Sequence, residues 1–473
     1  MREEEEEGEN KNILLIKEDK IEQMETDEQE EKYSRKEIII YILKGISSIL
    51  ASIIHTFGYS SIWSLGYTTI YLISFRRHYN ENLDFSYSYC FIPLMNLVFN
   101  LTAPLGGYFE GKYGPKKSII FSNLFLCIPF FIMYFSRSIY LDYLLMMLNG
   151  FGTAIGFNIT KKNACSFFMN KKALICSIIY LFPNFFCVIL ILYNEVFILN
   201  YDKYPSVEKI YYDENTFINY QKLIFFEIGL LIFTCLITYI LYFQNDPKET
   251  AKFGFNEKVK KENDENLRNN EVEKVEKSKK RITKISLNKK ILYNRRTINL
   301  IAMVFFFFPF INLINNILRM DIHFYFIFGA LYHIVGCISC ILFGLIGDFI
   351  QFKYLFIVLS IISSLASFCY IKYFDGEFIL FLELILVSFA YNGFNVIFDA
   401  HIMNIYGMEN FIEAWGITRA SAGISQILGI ILNFALVNNS PKYKIVYGIM
   451  EVFSIIALGF GLYEKEDKFD YNN

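Results

Sequence analysis

Charged residues are scarce in this chain of 473 residues: Asp, Glu, Lys and Arg make up 19% of it, whereas hydrophobic residues make up 54%. A soluble chain of this length cannot cover so much apolar surface, so we expect most of the apolar side chains to face lipid. The net charge of −2 says little about partners because the charge is concentrated in a few segments. Phe and Tyr are abundant, as the codons of an AT-rich genome favour, so aromatic content alone does not indicate a binding site.

The chain also lacks the motifs of the common enzymes and metal sites. There is no Gly-x-Ser-x-Gly elbow, no phosphate-binding Gly-x-x-x-x-Gly-Lys-Ser/Thr loop and no His-Glu-x-x-His sequence. The nine cysteines fall in or beside apolar segments, which is typical of small buried residues rather than of a disulfide framework. Cys337 and Cys340 share a helix face without a further Cys or His cluster. We therefore predict no enzymatic activity, no metal, no cofactor and no nucleic-acid partner.

Long apolar runs dominate the rest of the sequence and predict membrane-spanning helices. Six lie in each half, and the first is long enough for Gly58 and Gly66 to suggest a tilt or a break. The predicted spans are 38–73, 85–108, 117–136, 139–160, 172–194, 221–243, 298–318, 323–346, 353–372, 376–400, 412–437 and 444–463. The sequence thus predicts an all-α membrane protein of twelve transmembrane helices, and a monomer in the lipid bilayer.

Charged segments divide this prediction into five parts. An acidic tail, 1–37, lacks the apolar core of a signal peptide, so we expect no cleavable signal. It precedes a six-helix bundle, 38–243, and a Lys/Glu/Asn-rich linker, 244–296, without apolar periodicity. A second bundle, 297–463, and a tail, 464–473, complete the chain. The excess of Lys and Arg in the linker and after the fourth span, including Lys161 and Lys162, favours a cytosolic linker and cytosolic tails.

Two pairs of motifs recur at nearly the same offset. Gly106-x-x-x-Glu110 precedes Lys112, Lys116 and Lys117, and Gly344-x-x-x-Asp348 precedes Lys353, 238 residues further on. Gly156-Phe157-Asn158 and Gly393-Phe394-Asn395 recur 237 residues apart. Recurrence at one offset indicates two copies of one membrane unit, an organisation typical of secondary transporters.

The segment from Gly106 to Lys117 resembles the signature loop of the major facilitator superfamily, which has a glycine, three residues, an acid, a further glycine and paired bases. Within that superfamily the chain is similar to the branch of oxalate/formate antiporters and monocarboxylate porters. The Gly-Pro-Lys-Lys ending of the loop, the segment from Phe167 to Ala173 and the segment from Tyr406 to Ile417 carry this similarity. The resemblance covers roughly residues 38–463.

The resemblance implies two six-helix pseudo-repeat bundles and transport of a small organic anion, a monocarboxylate above all, by alternating access. Lys172 to Asn194 contains no glycine and so lacks the Gly-Pro motif of many exchangers, which argues against pure exchange and leaves facilitative uniport or proton symport open. Two alternatives stay open: the same fold carrying an amino acid or a vitamin, and a membrane sensor that binds a nutrient without transport. A plasma membrane and an organelle membrane are not distinguished.

The paired loops are the predicted gate. A glycine at a helix end lets a neighbouring helix approach, and the acid one turn further on can pair with a base or with a helix N-terminus. We expect Glu110 to pair with Lys116, and Asp348 with Lys353, in contacts that break when the halves move. The alternative is that these are solvated loop charges. Asp399 and His401, which close the predicted tenth span, are expected to act as gate or capping residues.

Few ionisable residues lie deep in the spans, and such residues usually face a cavity or a partner. Arg419 in the eleventh span is a natural carboxylate clamp. The resemblance places the cationic substrate ligand of the branch nearest Ala422, one turn from Arg419 on the same face. The alternatives for Arg419 are snorkelling to the interface or pairing with Glu413 or Asp399.

Histidines and asparagines complete the predicted site. His333, beside Tyr332, and His55 are candidates for carrying a proton, because imidazole titrates near neutral pH. A lone histidine is otherwise a packing residue. Asn158 and Asn395 occupy equivalent positions in the fourth and tenth spans, which line the cavity in the fold that the resemblance implies. We therefore expect Arg419, His333, Tyr332, Asn158 and Asn395 to contact the substrate.

Overall fold

The computed structural model describes residues 35–77, 79, 83, 91–198, 214–246, 291, 294–308, 322–373, 377–437 and 443–464. The regular elements in these ranges are α-helices. They are α1 (Arg35–Arg77), α2 (Phe91–Tyr113), α3 (Pro115–Phe135), α4 (Ile139–Phe167), α5 (Lys172–Ile198), α6 (Glu214–Leu241), α7 (Arg295–Phe307), α8 (Ile322–Ile346), α9 (Phe352–Tyr373), α10 (Glu377–Val437) and α11 (Tyr443–Leu462).

Helix α10 consists of two arms that meet at Gly407. Its φ of 71° and ψ of 168° lie outside the helical region, in a conformation that glycine adopts without strain. Asp399 and Trp415 bond to each other across the arms, and so do Asn395 and Arg419. Each pair is equidistant from Gly407 in sequence, so the arms run antiparallel. With arm α10a (377–406) and arm α10b (408–437) counted separately, the described residues form the twelve expected helices.

Several predicted spans have different boundaries in the structure. Helix α1 is continuous over 43 residues, so the expected break at Gly58 or Gly66 does not occur. Helix α4 continues to Phe167, seven residues past the predicted end of its span. The two arms of α10 extend through the predicted loop between the tenth and eleventh spans. Residues 1–34, most of the linker and the second part of the seventh span lie outside the described residues.

The apolar character of the helices suits a bilayer. Six helical segments within the described ranges are long and apolar enough to cross one; they are Glu37–Ser60, Pro115–Phe135, Lys172–Tyr193, Ile218–Leu241, Ile327–Ile346 and Phe381–Leu428, the last covering both arms of α10. Their outer faces are apolar as well. Phe225 and Ile240 on α6, for example, are each 69% exposed, which in a membrane places them against lipid.

Helices α1–α6 form the first half and α7–α11 the second. The two halves meet along two helix pairs, α2 with α10b and α5 with α8. Small residues make this approach close. A methyl group on Gly416 would lie 2.6 Å from backbone atoms of Pro104, and one on Gly344 would lie 2.0 Å from Ser177 Oγ. Gly344 thus allows the close helix packing expected for it. We call the end of the molecule that holds the α2–α3 and α8–α9 turns the motif end.

Candidate functional site

A cavity lies between the two halves. Helices α1, α2, α4 and α5 of the first half and α8, α10a and α10b of the second contribute the sixteen lining residues that the structure describes. They are Thr56, Tyr59, Ser60, Phe99, Thr153, Phe157, Tyr180, Pro183, Asn184, Cys187, His333, Tyr391, Asn392, Asn395, Trp415 and Arg419. Six of the sixteen are aromatic, about twice the share in the whole chain. The cavity thus draws on both halves, as a site for alternating access must.

Arg419 lines this cavity and is 3% exposed. Its Nη2 donates a hydrogen bond to Asn395 Oδ1, and its Nε has no hydrogen-bond partner among the described residues. The guanidinium carbon lies 4.8 Å from the ring centre of Phe308 and 5.2 Å from that of Trp415. An amide and aromatic rings therefore hold a buried cation, and no carboxylate among the described residues contacts it directly.

His333 lies in the cavity wall within a chain of amides. Its Nδ1 is 2.8 Å from Asn184 Oδ1, and Asn184 Nδ2 donates to Asn392 Oδ1 at 2.9 Å. Because Asn184 belongs to α5 and the other two residues to α8 and α10a, this chain connects the halves. The structure therefore brings His333, Asn395 and Arg419 into one cavity.

His55 lies behind the wall. It is buried and contacts the hydroxyl of Tyr59 at 2.5 Å, and that hydroxyl is 3.3 Å from Ser122 Oγ. A methyl group on Gly156 would lie 2.5 Å from His55 Nε2, so this glycine makes room for the imidazole. His55 contacts the cavity wall through Tyr59.

A buried ion pair joins the two halves next to the cavity. Lys161 Nζ on α4 contacts Asp399 Oδ2 on α10a, and both side chains are 0% exposed. Two further donors hold the same carboxylate: Tyr180 Oη donates to Oδ2 and Trp415 Nε1 donates to Oδ1, each at 2.6 Å. Asp399 is thus fully occupied and does not pair with Arg419, one of the alternatives for that arginine.

Aromatic rings surround Lys161. Its Nζ lies 4.4 Å from the ring centre of Phe157, 5.0 Å from that of Tyr180 and 5.2 Å from that of Trp415. Sequence reasoning assigned Lys161 to a loop, which is wrong because α4 extends past it. Asp399 likewise lies inside α10a and does not close a helix. Tyr180 and Trp415 were not predicted as site residues.

Two predicted substrate contacts lie elsewhere. Asn158 is fully buried in α4 but does not line the cavity, and neither polar atom of its side chain has a hydrogen-bond partner among the described residues. It is therefore not equivalent to Asn395 in its surroundings. Tyr332 is a core residue that packs against His333 and whose carbonyl accepts a hydrogen bond from Ser388.

The paired motif loops make different contacts from those expected. Glu110 pairs with Lys162 of α4 at 2.9 Å, both side chains being 20% exposed, whereas Lys116 lies 5.9 Å from the ring centre of Tyr239. A methyl group on Gly106 would lie 3.0 Å from the carbonyl oxygen of Ala154. The first loop thus holds α2 against α4, within one half.

The second loop reaches across the halves. Asp348 accepts hydrogen bonds from the backbone N–H groups of Ala173 and Leu174 at 2.9 and 3.2 Å, in the first turn of α5. Asp348 therefore caps a helix N-terminus of the first half, a favourable position for a carboxylate, and its expected partner Lys353 is replaced by these groups.

A third charged cluster lies at the motif end of the second half. Glu464 accepts hydrogen bonds from Arg296 Nε at 2.8 Å and Asn299 Nδ2 at 2.6 Å, and it lies 3.2 Å from His401 Nε2. Burial opposes its ionisation, but His401, Arg296 and Asn299 together lower the pKa of Glu464 below its ordinary value. His401 also stacks on Phe352.

In the ranges that the structure describes, His, Cys, Asp and Glu do not form a group of three or more that could hold a metal ion. Among the described residues, the cavity wall offers hydrogen-bonding groups, aromatic rings and the guanidinium of Arg419.

Comparison with known proteins agrees with this architecture. The family model of the Major Facilitator Superfamily matches residues 48–429. No curated protein sequence gave a significant match. Among solved structures, the proton:xylose symporter XylE is 11% identical, with a TM-score of 0.67 over 90% of this chain and 96% of that one.

Two further structures share the fold. The human organic anion transporter MFSD10 is 9% identical, with a TM-score of 0.59 over 89% of this chain and 99% of that one. The transporter FucP in its outward conformation is 11% identical, with a TM-score of 0.58 over 91% and 99%. The family match spans most of the chain and the cavity lies between its two halves, so the protein belongs to the major facilitator superfamily: it is a multi-pass integral membrane transporter of small solutes, and not an enzyme.

Proposed function

We propose that the protein carries a small organic anion, most specifically a monocarboxylate, by alternating access, with Arg419 contacting the carboxylate. The fold does not select the substrate, since a sugar symporter and an organic anion transporter share it. The substrate class must therefore be inferred from the chemistry of the cavity.

The observation that supports this proposal most strongly is that Arg419 is the one permanently charged residue among the sixteen described residues that line the cavity. Removing a guanidinium from water is costly unless a counter-charge is supplied. Asn395 provides an amide oxygen, and the neighbouring rings provide cation–π contacts, but neither supplies a negative charge. A single substrate carboxylate would supply it and leave the cavity electrically neutral.

Coupling to a proton is part of the proposal, with His333 as the proton-carrying group. Among the sixteen described cavity residues it alone has a side chain that ordinarily titrates near neutral pH. His55 is the second candidate, since it contacts the cavity residue Tyr59. We also propose that the motif end, the linker and both tails face the cytosol, as the distribution of Lys and Arg favours.

Uptake into proteoliposomes tests the proposal. The purified protein should take up at least one of four radiolabelled monocarboxylates (formate, lactate, pyruvate and benzoate) faster than protein-free vesicles. Arg419→Ala should reduce that uptake at least 10-fold, because the carboxylate loses its charged partner. Arg137→Ala, which removes an exposed arginine in the α3–α4 turn, is the matched control and should transport like the parent.

Two results would contradict the proposal. Equal uptake by Arg419→Ala would exclude the arginine as the carboxylate ligand. Uptake of neutral amino acids or vitamins without uptake of any of the four acids would exclude the substrate class. Saturable binding of an acid without flux would instead indicate a sensor.

The proton is tested separately. His333→Gln keeps a hydrogen-bonding side chain but removes the titratable group. Acid uptake by this variant should no longer respond to an imposed pH gradient. If its response matches that of the parent, His333 is not the proton carrier.

A further inference from the structure

Tyr180 and Trp415 each line the cavity and also contact the ion pair that joins the halves. Both line the cavity, and both donate a 2.6 Å hydrogen bond to Asp399, the carboxylate of the ion pair between the halves. Tyr180 belongs to α5 in the first half and Trp415 to α10b in the second. These two residues therefore form a hydrogen-bonded connection between the cavity and the Lys161–Asp399 pair.

Three hydrogen-bond donors stabilise the buried carboxylate of Asp399. Its Oδ2 accepts from Lys161 and Tyr180, and its Oδ1 accepts from Trp415. A buried carboxylate that loses donors is strongly destabilised, whereas water would solvate it if the halves separated at the motif end. Loss of either cavity donor thus favours separation.

An anion in the cavity competes for the same donors. The guanidinium carbon of Arg419 lies 5.2 Å from the ring centre of Trp415, so a carboxylate bound to Arg419 lies beside the indole. A phenolic hydroxyl can rotate between acceptors, and a substrate carboxylate is as strong an acceptor as Asp399.

We propose that Tyr180 and Trp415 are positioning residues that couple occupancy of the cavity to the gate. An entering anion draws their O–H and N–H donors away from Asp399, which weakens the Lys161–Asp399 pair and opens the motif end. This inference rests on the proposed function, because it requires an anionic substrate.

The test measures the opening directly. Lys172 Nζ donates to Asn404 Oδ1 at 2.8 Å across the halves at the motif end, so spin labels attached through Lys172→Cys and Asn404→Cys report separation as a longer distance. The reporter is built in a background without the native cysteines. Distances are measured by electron spin resonance without anion, and with formate, lactate, pyruvate or benzoate added separately.

Tyr180→Phe and Trp415→Phe keep an aromatic ring and remove one donor each. Without anion, each should raise the ratio of open to closed molecules roughly 10-fold. The anion that the parent transports should open the parent and should change these variants much less. Tyr134→Phe is the matched control: it also removes a tyrosine hydroxyl, but one on α3 outside the cavity wall, and it should keep the anion response.

The outcomes separate the two proposals. If the parent transports an acid and Tyr180→Phe and Trp415→Phe open with that acid as the parent does, the coupling role is excluded and the proposed function stands. The same holds if transport occurs and anions leave the parent's distances unchanged. Absence of both uptake and anion-dependent opening overturns both proposals. A melting temperature for each variant shows that it is folded.

Discussion

Two fully buried ion pairs differ in what they connect. Arg76 at the end of α1 binds Asp142 in the first turn of α4, and it also donates to the carbonyl oxygens of Met133, in the last turn of α3, and of Ser136, directly after it. All of these groups belong to one half, at the end opposite the motif end. Lys161 and Asp399, in contrast, belong to different halves.

The chemistry of the two cations fits this difference. The planar guanidinium of Arg76 makes a bidentate contact with Asp142, Nη2 lying 2.9 Å from Oδ1, and its other donors reach carbonyls. Lys161 presents one point charge, which can leave and be resolvated more easily. The comparison indicates that the first pair fixes the fold of one half, while the second pair must break whenever the halves separate at the motif end.

The largest loss of stability should come from breaking the Arg76–Asp142 pair. Arg76→Met leaves Asp142 buried without its partner, which should cost about 3–5 kcal/mol of stability. We expect a lower melting temperature and poor yield, with the Lys172–Asn404 spin-label distances of the surviving protein unchanged. A shift of those distances towards the open state would show that this pair also takes part in gating.

Lys161→Met should act differently. Asp399 then remains buried without its cation, and hydration of the open motif end relieves this penalty. We expect the open fraction to rise by one to two orders of magnitude, in line with a coupling free energy of about 1–3 kcal/mol. Lys162→Met removes the neighbouring lysine, which pairs within one half, and should leave the distances as in the parent.

Substitutions in the duplicated loops should have smaller effects on the open fraction, and they compare a contact between the halves with a contact within one half. Asp348→Asn weakens the cap on α5, which joins the halves, at a cost of about 0.5–2 kcal/mol, and should raise the open fraction several-fold. Glu110→Gln disrupts a partly exposed pair within one half, worth about 0–1 kcal/mol, and should not. Equal shifts in both variants would restore the original expectation that the two acids are equivalent latches.

Replacement of Glu464 should produce the smallest change, a change in stability that depends on pH. Because folding lowers the pKa of Glu464, its stabilisation is present above the unfolded pKa of about 4.3 and is lost as the pH falls through the folded value. Glu464→Gln should therefore lower the melting temperature at pH 7, and the difference from the parent should vanish in acid. A constant difference from pH 7 to pH 3 would exclude an ionic contribution.

Much of the fold could be predicted, because hydropathy and the repeat offset mark helices directly. The site was predicted in part, since Arg419, His333 and Asn395 are polar residues in apolar surroundings. Lys161 was missed because four lysines near the end of α4 look alike in sequence, and only the extra helical turns bury this one. Tyr180 was missed because one tyrosine among 34 carries no local signal.

One signal could have found the ion pair. Lys161 and Asp399 are 238 residues apart, the same offset as Gly106 and Gly344. In a duplicated fold, residues near the symmetry axis meet their own counterparts, so opposite charges at equivalent positions predict a contact. The offset does not predict that Glu110 and Asp348 find unlike partners, because those depend on how helix ends pack.

A double-mutant cycle on Lys161 and Asp399 tests the account most directly, with the spin-label distance across the motif end as the readout. Each single variant, Lys161→Met or Asp399→Asn, should shift the molecule to the open state. The double variant removes both charges together, and the amide can still accept from Tyr180 and Trp415. The account predicts that the double variant returns most of the way to the closed distribution, with a coupling free energy well above the additivity error of about 0.5 kcal/mol. Additive opening in the double variant would contradict the claim that this ion pair holds the halves together.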